Sequence, residues 1–441
     1  MKILTSKIKR KGQRSLTVLA CLLILISCQK DDNNDVQSDI GEPQLNEAIL
    51  TENTDIIDCT TIANWDQFAV YKDGDQVNYK DQVFEVDGDE WIHLGACSKT
   101  SEKGIAVYSF DNDSNSDLMF QDGEKQETII SETRRFSIGN MIRLQVVDAK
   151  TIEVANFAPM DLKDITVMAT IQGFDNPIAL FKIDKLRAHA IQTVEYPFLK
   201  GDFLYLDSKG EATDLTQFIE NGIPTDQIKL DFTGDDKIIQ TLLSFRQLNW
   251  SIKFYDFDPE NDPNDDEQDD IKAIDARKYT AMFINYAYLQ LRPEFKEGFM
   301  NQPITENDES LMSNDRKIEV FDQLINRKYY SALKVLDGGS VLGLGGGNRF
   351  GVNNFTLNGH FEGKGYYVMI HEASHGLSFN HSSNMTYPDS EGFGITPVAD
   401  RLAEIITDTN EWPITKETYY LQSDFTQLRI VSNSLVCANK I

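Results

Sequence analysis

Three of the six histidines in this 441-residue chain fall within eleven residues: His371-Glu372-Ala373-Ser374-His375-Gly376-Leu377-Ser378-Phe379-Asn380-His381. Residues four apart on a helix project from one face, so His371 and His375 can share one cation. Zinc takes imidazole nitrogens in tetrahedral sites, and a site with three protein ligands keeps a position for water. Glu372 stands beside the first ligand and is placed to take a proton from that water. The metal would lower the water's pKa and polarise a carbonyl, so the chemistry expected is hydrolysis of an amide with Zn2+ as cofactor.

Such a site needs a helix that enters the protein interior and a later segment that brings a third ligand. Gly363 and Gly365 precede the apolar run Tyr366-Tyr367-Val368-Met369-Ile370, which would carry the helix inward. Two residue sets can complete the metal site. One is His381, six residues after His375. The other is Glu404, with Asp408 one turn further to orient a ligand histidine through its second ring nitrogen.

With His381 the pattern is His-Glu-x-x-His-x-x-x-x-x-His, which resembles the metzincin metallopeptidases. Leu377, Phe379 and Asn380 match that family's habit between the second and third histidines. Asn384-Met385-Thr386-Tyr387-Pro388 resembles its Met-turn, which implies Met385 beneath the metal and Tyr387 near it as a stabiliser of the oxyanion. Two positions depart from the family. Ser378 stands where the family has a glycine that ends the helix with positive φ, and Gly376 lies two residues earlier. The turn also begins sooner after His381 than the family's does. The Glu404 and Asp408 arrangement is similar to that of the gluzincins.

The rest of the composition excludes more than it suggests. Lys and Arg total 42 against 70 Asp and Glu, a net charge of −28, and no basic cluster occurs beyond the first fourteen residues. Nucleic acid is therefore not an expected partner. Hydrophobic residues make up 41% and aromatics 10%, enough to bury substantial cores over several domains.

The amino terminus reads as a targeting segment. Lys2, Lys7, Lys9, Arg10, Lys11 and Arg14 precede the apolar run Leu16 to Ile26, whose eleven residues are too few to span a bilayer as a helix. Leu25-Ile26-Ser27-Cys28 resembles a bacterial lipobox, which implies lipidation of Cys28. The acidic tract after it is similar to the surface-export signal of Bacteroidetes lipoproteins. The expectation is a signal peptide over 1–27, an acidic tether over 28–57, and a chain held by lipid alone on the outer membrane, exposed at the cell surface. Cys59 and Cys97 would close a loop of 38 residues as a disulfide, which fits an oxidising compartment. Cys437 is left without an assigned partner.

Residues 58–98 read as a small β module, with Gly74-Asp75 as a turn between short alternating runs. The order Trp65, Tyr71-Lys72-Asp73-Gly74-Asp75-Gln76-Val77-Asn78-Tyr79, Phe84, Trp91…Gly95-Ala96-Cys97 resembles carbohydrate-binding modules of families 5 and 12. That implies sugar contacts by Trp65, Tyr71 and Trp91; the same aromatics could equally be the core of a tiny domain. Residues 99–254 carry short β-branched runs separated by turn signals, the pattern of a β-sandwich. Tyr255 to Asp270 holds nine carboxylates, two prolines and no basic residue, and reads as an acidic linker.

The remaining 271–441 would be an α+β, zincin-like catalytic domain. It is expected to open with an amphipathic helix bearing Ile271, Ile274, Met282, Phe283, Tyr286 and Leu289, followed by a second helix from about Arg316 to Leu333. The glycine-rich stretch 338–347 reads as a pliable strand and turn beside the site, and His360 as a surface or loop residue. The composite expectation is a surface-anchored zinc metalloendopeptidase acting on protein or glycoprotein, with possible polysaccharide contact. The alternative is a glycan-binding lipoprotein whose zincin domain is not catalytic.

Overall fold

The computed structural model describes Pro43 and residues 56–98, 104–255 and 267–416, with short gaps at 60–61, 68, 81, 89 and 202. The signal segment, Cys28, most of the tether, the centre of the acidic stretch and Cys437 lie outside the described residues. The chain divides into two units, 1–101 and 102–441.

In the first unit, strands β1 (Ile56–Asp58), β2 (Gln76–Tyr79), β3 (Gln82–Asp87) and β4 (Glu90–Ser98) form one sheet in the order β1-β4-β3-β2. The pairing is antiparallel except for β1 with β4, where Ile57 lies opposite Cys97. Val77, Val83, Phe84 and Val86 are buried. Cys59 is buried and disulfide-bonded; the side chain of Cys97 is outside the described residues.

The second unit is mixed α/β. Strands β5 (Val107–Phe110), β10 (Leu162–Ile171), β11 (Ile178–Leu186), β13 (Leu206–Asp207) and β14 (Ile228–Thr233) make one sheet, ordered β13-β11-β10-β14 with β5 parallel to β11. A second sheet has the order β6-β12-β9-β8, built from β6 (Asp117–Leu118), β8 (Ile142–Val146), β9 (Thr151–Asn156) and β12 (Ala190–Glu195). Two helices belong to this part, the single turn α1 (Gln126–Ile129) and α2 (Lys237–Ser244), the latter capped by Asp236 onto the Ile238 N–H.

The third sheet carries the site. Its order is β18-β19-β17-β15-β7, from β7 (Phe136–Ser137), β15 (Ser251–Phe254), β17 (Tyr329–Val335), β18 (Gly343–Gly346) and β19 (Arg349–Val352). Strands β15, β17 and β19 run parallel and the edge strand β18 is antiparallel to β19. Short β16 (Gln268–Asp269) also pairs with β17. The expected division at 255–270 is therefore not where the chain separates. Strand β15 before the acidic stretch and β16 at its end both pair with β17, and one apolar cluster runs from Ala106 to Ile414. Composition marks 255–270 as a linker, but Ser251–Phe254 just before it and Gln268–Asp269 within it are strands of one sheet.

Helices α3 (Ala273–Leu291), α4 (Pro293–Asn301), α5 (Asn314–Ile325), α6 (Asn354–Gly359), α7 (Tyr366–His375) and α8 (Ile395–Asp408) complete the unit. Helix α3 is present where expected but is not amphipathic. Sixteen of its nineteen residues are buried, while Ile274 is exposed. Of its interior polar groups, the Asn285 side chain donates to the Ile414 carbonyl at 2.8 Å and accepts from the Ile414 N–H at 3.0 Å. Helix α5 stops at Ile325, short of the expected Leu333. Residues 329–335, from Tyr329-Tyr330 to Val335, form the central strand, where Tyr330, Ala332, Leu333 and Val335 are buried.

Candidate active site

Helix α7 starts and ends on unusual backbone. Gly365 at its start has φ 84°, and two residues earlier Gly363 has φ 74°, where an added Cβ would lie 2.1 Å from Thr407 Oγ1. With no capping side chain of its own, α7 borrows one. Asp400 on α8 accepts from the Tyr367 N–H at 3.1 Å. Burial pushes the Asp400 carboxyl up to about 6, with Glu404 one turn away adding to the rise.

The helix ends in a Schellman motif. The Phe379 N–H donates to the Ser374 carbonyl at 3.1 Å and the Ser378 N–H to the His375 carbonyl at 2.9 Å. Ser378 takes the left-handed position with φ 71°, so the serine performs the reversal that a glycine would make with less strain. Gly376 has another role. A Cβ there would lie 1.9 Å from an Arg327 guanidinium nitrogen. Arg327 is buried against it and donates to the Ala373 and Gly347 carbonyls at 3.3 and 2.6 Å.

His371, His375 and His381 converge, with all three ligating nitrogens within 4.8 Å of one another. The His375 Nε2 lies 3.0 Å from the Nε2 of His371 and 3.0 Å from that of His381. His371 donates from Nδ1 to the Thr386 carbonyl at 2.9 Å, and His375 from Nδ1 to the Phe379 carbonyl at 2.7 Å. A carbonyl only accepts, so each Nδ1 carries the proton and each Nε2 presents a lone pair to the centre. Burial depresses both imidazoles, His371 to about 4, which keeps them neutral. The cluster can hold a metal ion.

Met385 is fully buried. Its turn is closed by the Thr386 N–H on the Ser383 carbonyl at 3.1 Å and by the Met385 N–H on Ser383 Oγ at 3.1 Å. Tyr387, 54% exposed, places its ring centroid 4.4 Å from that of His371 and 5.0 Å from that of His381. Glu404 and Asp408 lie on the exposed side of α8, apart from the histidine group.

Glu372 is buried, and burial pushes its carboxyl up to about 8. The strand that covers it is the glycine-rich β18. A Cβ on Gly343 would lie 2.6 Å from Glu372 Oε1, and one on Gly345 would lie 2.4 Å from the Glu372 carbonyl oxygen. Only bare backbone can pass this close. The cleft between β18 and α7 has a volume of about 390 Å³ and is lined by Glu267, Ser340–Gly345, Tyr367, Val368, Glu372, the three histidines and Tyr387. Neither these glycines nor Asp400 carries a local motif; their roles follow from the fold.

The other expected positions are scattered. His360 is not at the surface: it is fully buried, bonds the Leu357 carbonyl through Nδ1 at 2.7 Å, and is held neutral by burial with a pKa of about 3. In the first unit Tyr71 and Trp91 meet edge to face at 5.2 Å, and the Tyr71 hydroxyl is engaged with the Asp66 backbone. Trp65 packs instead on Tyr79, with centroids 5.4 Å apart. No protein-family model, curated protein or solved structure matches the chain.

Proposed function

We propose that the second unit is a zincin-like zinc metalloendopeptidase with His371, His375 and His381 as ligands and Glu372 as general base. The observation that carries this reading is the convergence of the Nε2 atoms of His371, His375 and His381, the first two presenting bare lone pairs, beside the buried carboxyl of Glu372 in one cleft. Two neutral imidazoles cannot hydrogen-bond through Nε2 atoms that both lack a proton, and a separation of 3.0 Å fits a cation held between them. Nitrogens about 2.1 Å from a tetrahedral zinc sit about 3.4 Å apart, close to this spacing.

Zinc held there would supply a Lewis acid that acidifies water and polarises a carbonyl. The protein's own part is to position and to move protons. Thr386 and Phe379 carbonyls fix the ring orientation of two ligands. Glu372, whose ionised form a cation held beside it would favour against its burial, then takes the proton of the attacking water as a carboxylate and returns it to the leaving amine. Tyr387, against the rings of His371 and His381, is the group placed to donate to the developing oxyanion. The apolar side chains Val341, Leu342, Leu344 and Val368 around the cleft exclude water from these steps.

Surface anchoring through Cys28 belongs to the same proposal and rests on the lipobox-like Leu25–Cys28, as does a protein or glycoprotein substrate. The Tyr71–Trp91 pair supports a sugar contact for the amino-terminal unit. The test is metal analysis with casein cleavage by the natural protein and by Glu372→Ala. The variant should keep stoichiometric zinc and lose at least 10²-fold in cleavage rate. Zinc retention by the natural protein with no cleavage of casein or of a broad peptide library would overturn the enzyme reading.

A further inference from the structure

Of the three histidines, His381 is the least constrained by its own side chain. The other two each have Nδ1 tied to a carbonyl, whereas for His381 no such bond to the second ring nitrogen exists among the described residues, and the side chain is exposed. Its position must therefore be set through its backbone, and the backbone on both sides of it is gripped by a segment distant in sequence.

That segment is 303–307, in the connection between α4 and α5. Before His381, the Asn307 amide spans the turn in both directions. Its Oδ1 accepts from the Asn380 N–H at 2.8 Å and its Nδ2 donates to the Ser378 carbonyl at 3.0 Å. After His381, Ser383 Oγ donates to the Thr305 carbonyl at 2.6 Å and the Asn384 N–H donates to Thr305 Oγ1 at 3.0 Å. The Asn384 side chain closes the grip, accepting from the Thr305 N–H at 2.8 Å and donating to the Pro303 carbonyl at 3.0 Å. His381 sits between these two points of attachment, and the same loop leads on to Met385, to Thr386, whose carbonyl orients His371, and to Tyr387.

We infer that Asn307 is a positioning residue for the metal centre, holding His381 in ligating position by bridging Ser378 and Asn380. The inference rests on the metal-centre reading given above. Asn307 is itself exposed and packs no core, so removing it should loosen the third ligand while leaving the fold in place. Outer groups that orient metal ligands typically govern affinity by 10- to 100-fold.

The experiment titrates zinc against a competing chelator in the full chain, the Asn307→Ala variant, the Asn307→Asp variant and His381→Ala. Unfolding temperatures of the metal-free proteins and the visible absorption of their Co2+ forms are recorded alongside. Asn307→Ala should bind zinc about tenfold more weakly, with a changed Co2+ spectrum and a metal-free unfolding temperature within about a degree of the natural protein. Asn307→Asp keeps the acceptor for Asn380 but loses the donor to Ser378, so it should fall between the two. Zinc affinity of Asn307→Ala within twofold of the natural protein overturns this inference alone. Absence of zinc binding by the natural protein overturns the metal-centre reading and the inference with it.

Discussion

The two walls of the cleft are built on opposite principles. The wall that bears His381, Met385 and Tyr387 is irregular chain held by side-chain-to-backbone hydrogen bonds from Thr305, Asn307 and Asn384. The facing wall is β18, a regular strand whose contact residues have no side chains, so that its backbone lies directly on Glu372. The polar wall is specified by many weak bonds of about 1 kcal/mol each, and losing one leaves the rest in place. The glycine wall is specified by exclusion, where a single added carbon has nowhere to go. The first should tolerate change by degrees and the second should not.

Substitutions on each side put that contrast to the test. The largest effect is expected at Gly345→Ala. Its Cβ would meet Glu372 backbone atoms at 2.4 and 2.7 Å, which cannot yield as a flexible side chain can. Urea denaturation should show a loss of about 2–3 kcal/mol. Gly339→Ala, whose Cβ would find nothing nearer than 3.9 Å, serves as the neutral control. Equal stabilities for the two variants would remove the distinction between the walls.

A smaller effect of opposite sign is expected on the polar wall. Ser378 pays for a left-handed φ of 71° that glycine adopts freely. Ser378→Gly relieves that strain but adds chain entropy to the unfolded state, so the net gain should be only about 0.5 kcal/mol in the same denaturation experiment. A loss of stability would mean that the serine side chain, not the backbone bend, is what that position requires.

The third test concerns the helix between the walls and is a pH dependence. Asp400 has its carboxyl raised to about 6 in the fold, against about 3.9 in an unfolded chain. The folded state therefore binds that proton more tightly. Its stabilising contribution is full below about pH 4 and is lost as pH rises through about 6. Asp400→Asn keeps an acceptor for the Tyr367 N–H and removes the titration. Thermal melts between pH 4 and 7 should show the variant gaining on the natural protein as pH rises; parallel curves would contradict the buried-carboxylate assignment.

Legibility followed the range of the interactions. His371, Glu372 and His375 lie within five residues on one helix, and a local period of four is enough to see them. His381 shows in the same short stretch as one of three clustered histidines, and Met385 only through the resemblance of its surroundings to a Met-turn. The partners that fix them are sequence-remote: Asn307 acts from 73 residues before Asn380, and Thr305 from 79 before Asn384. An asparagine in a polar loop carries no mark of such a role. The glycine-rich stretch was recognisable as something placed beside the site, yet its register on Glu372 depends on sheet pairing that no local pattern encodes.

The same limit explains the elements that differed. Helix α3 shows helical spacing, but its polar residues suggested a wet face. Arg277, Lys278 and Asn285 are in fact buried, and partners such as Asp122 and Ile414 come from far along the chain. His360 looked peripheral because nothing in its neighbours shows that Phe361 and Leu357 pack inward with it. The acidic stretch after Tyr255 was misjudged as a boundary because charge reports on solvent exposure, not on which strands its ends join.

That last point bears on how the second unit can be divided at all. Ser251–Phe254 pairs with Tyr329–Ala332 on one flank of β17, Gln268–Asp269 pairs with Lys334–Val335, and Phe136–Ser137 supplies the strand beyond Ser251–Phe254. A fragment beginning at Ile271 would leave β17 with unmet backbone donors and acceptors along that flank and would strip Phe136 and Phe254 from the rings of Phe283 and Tyr279. The part that carries the cleft and the β-rich part are thus not modules joined in series. The first 150 residues of the unit are scaffold for the last, and evolutionary exchange of one without the other would have to rebuild the sheet on which the cleft stands.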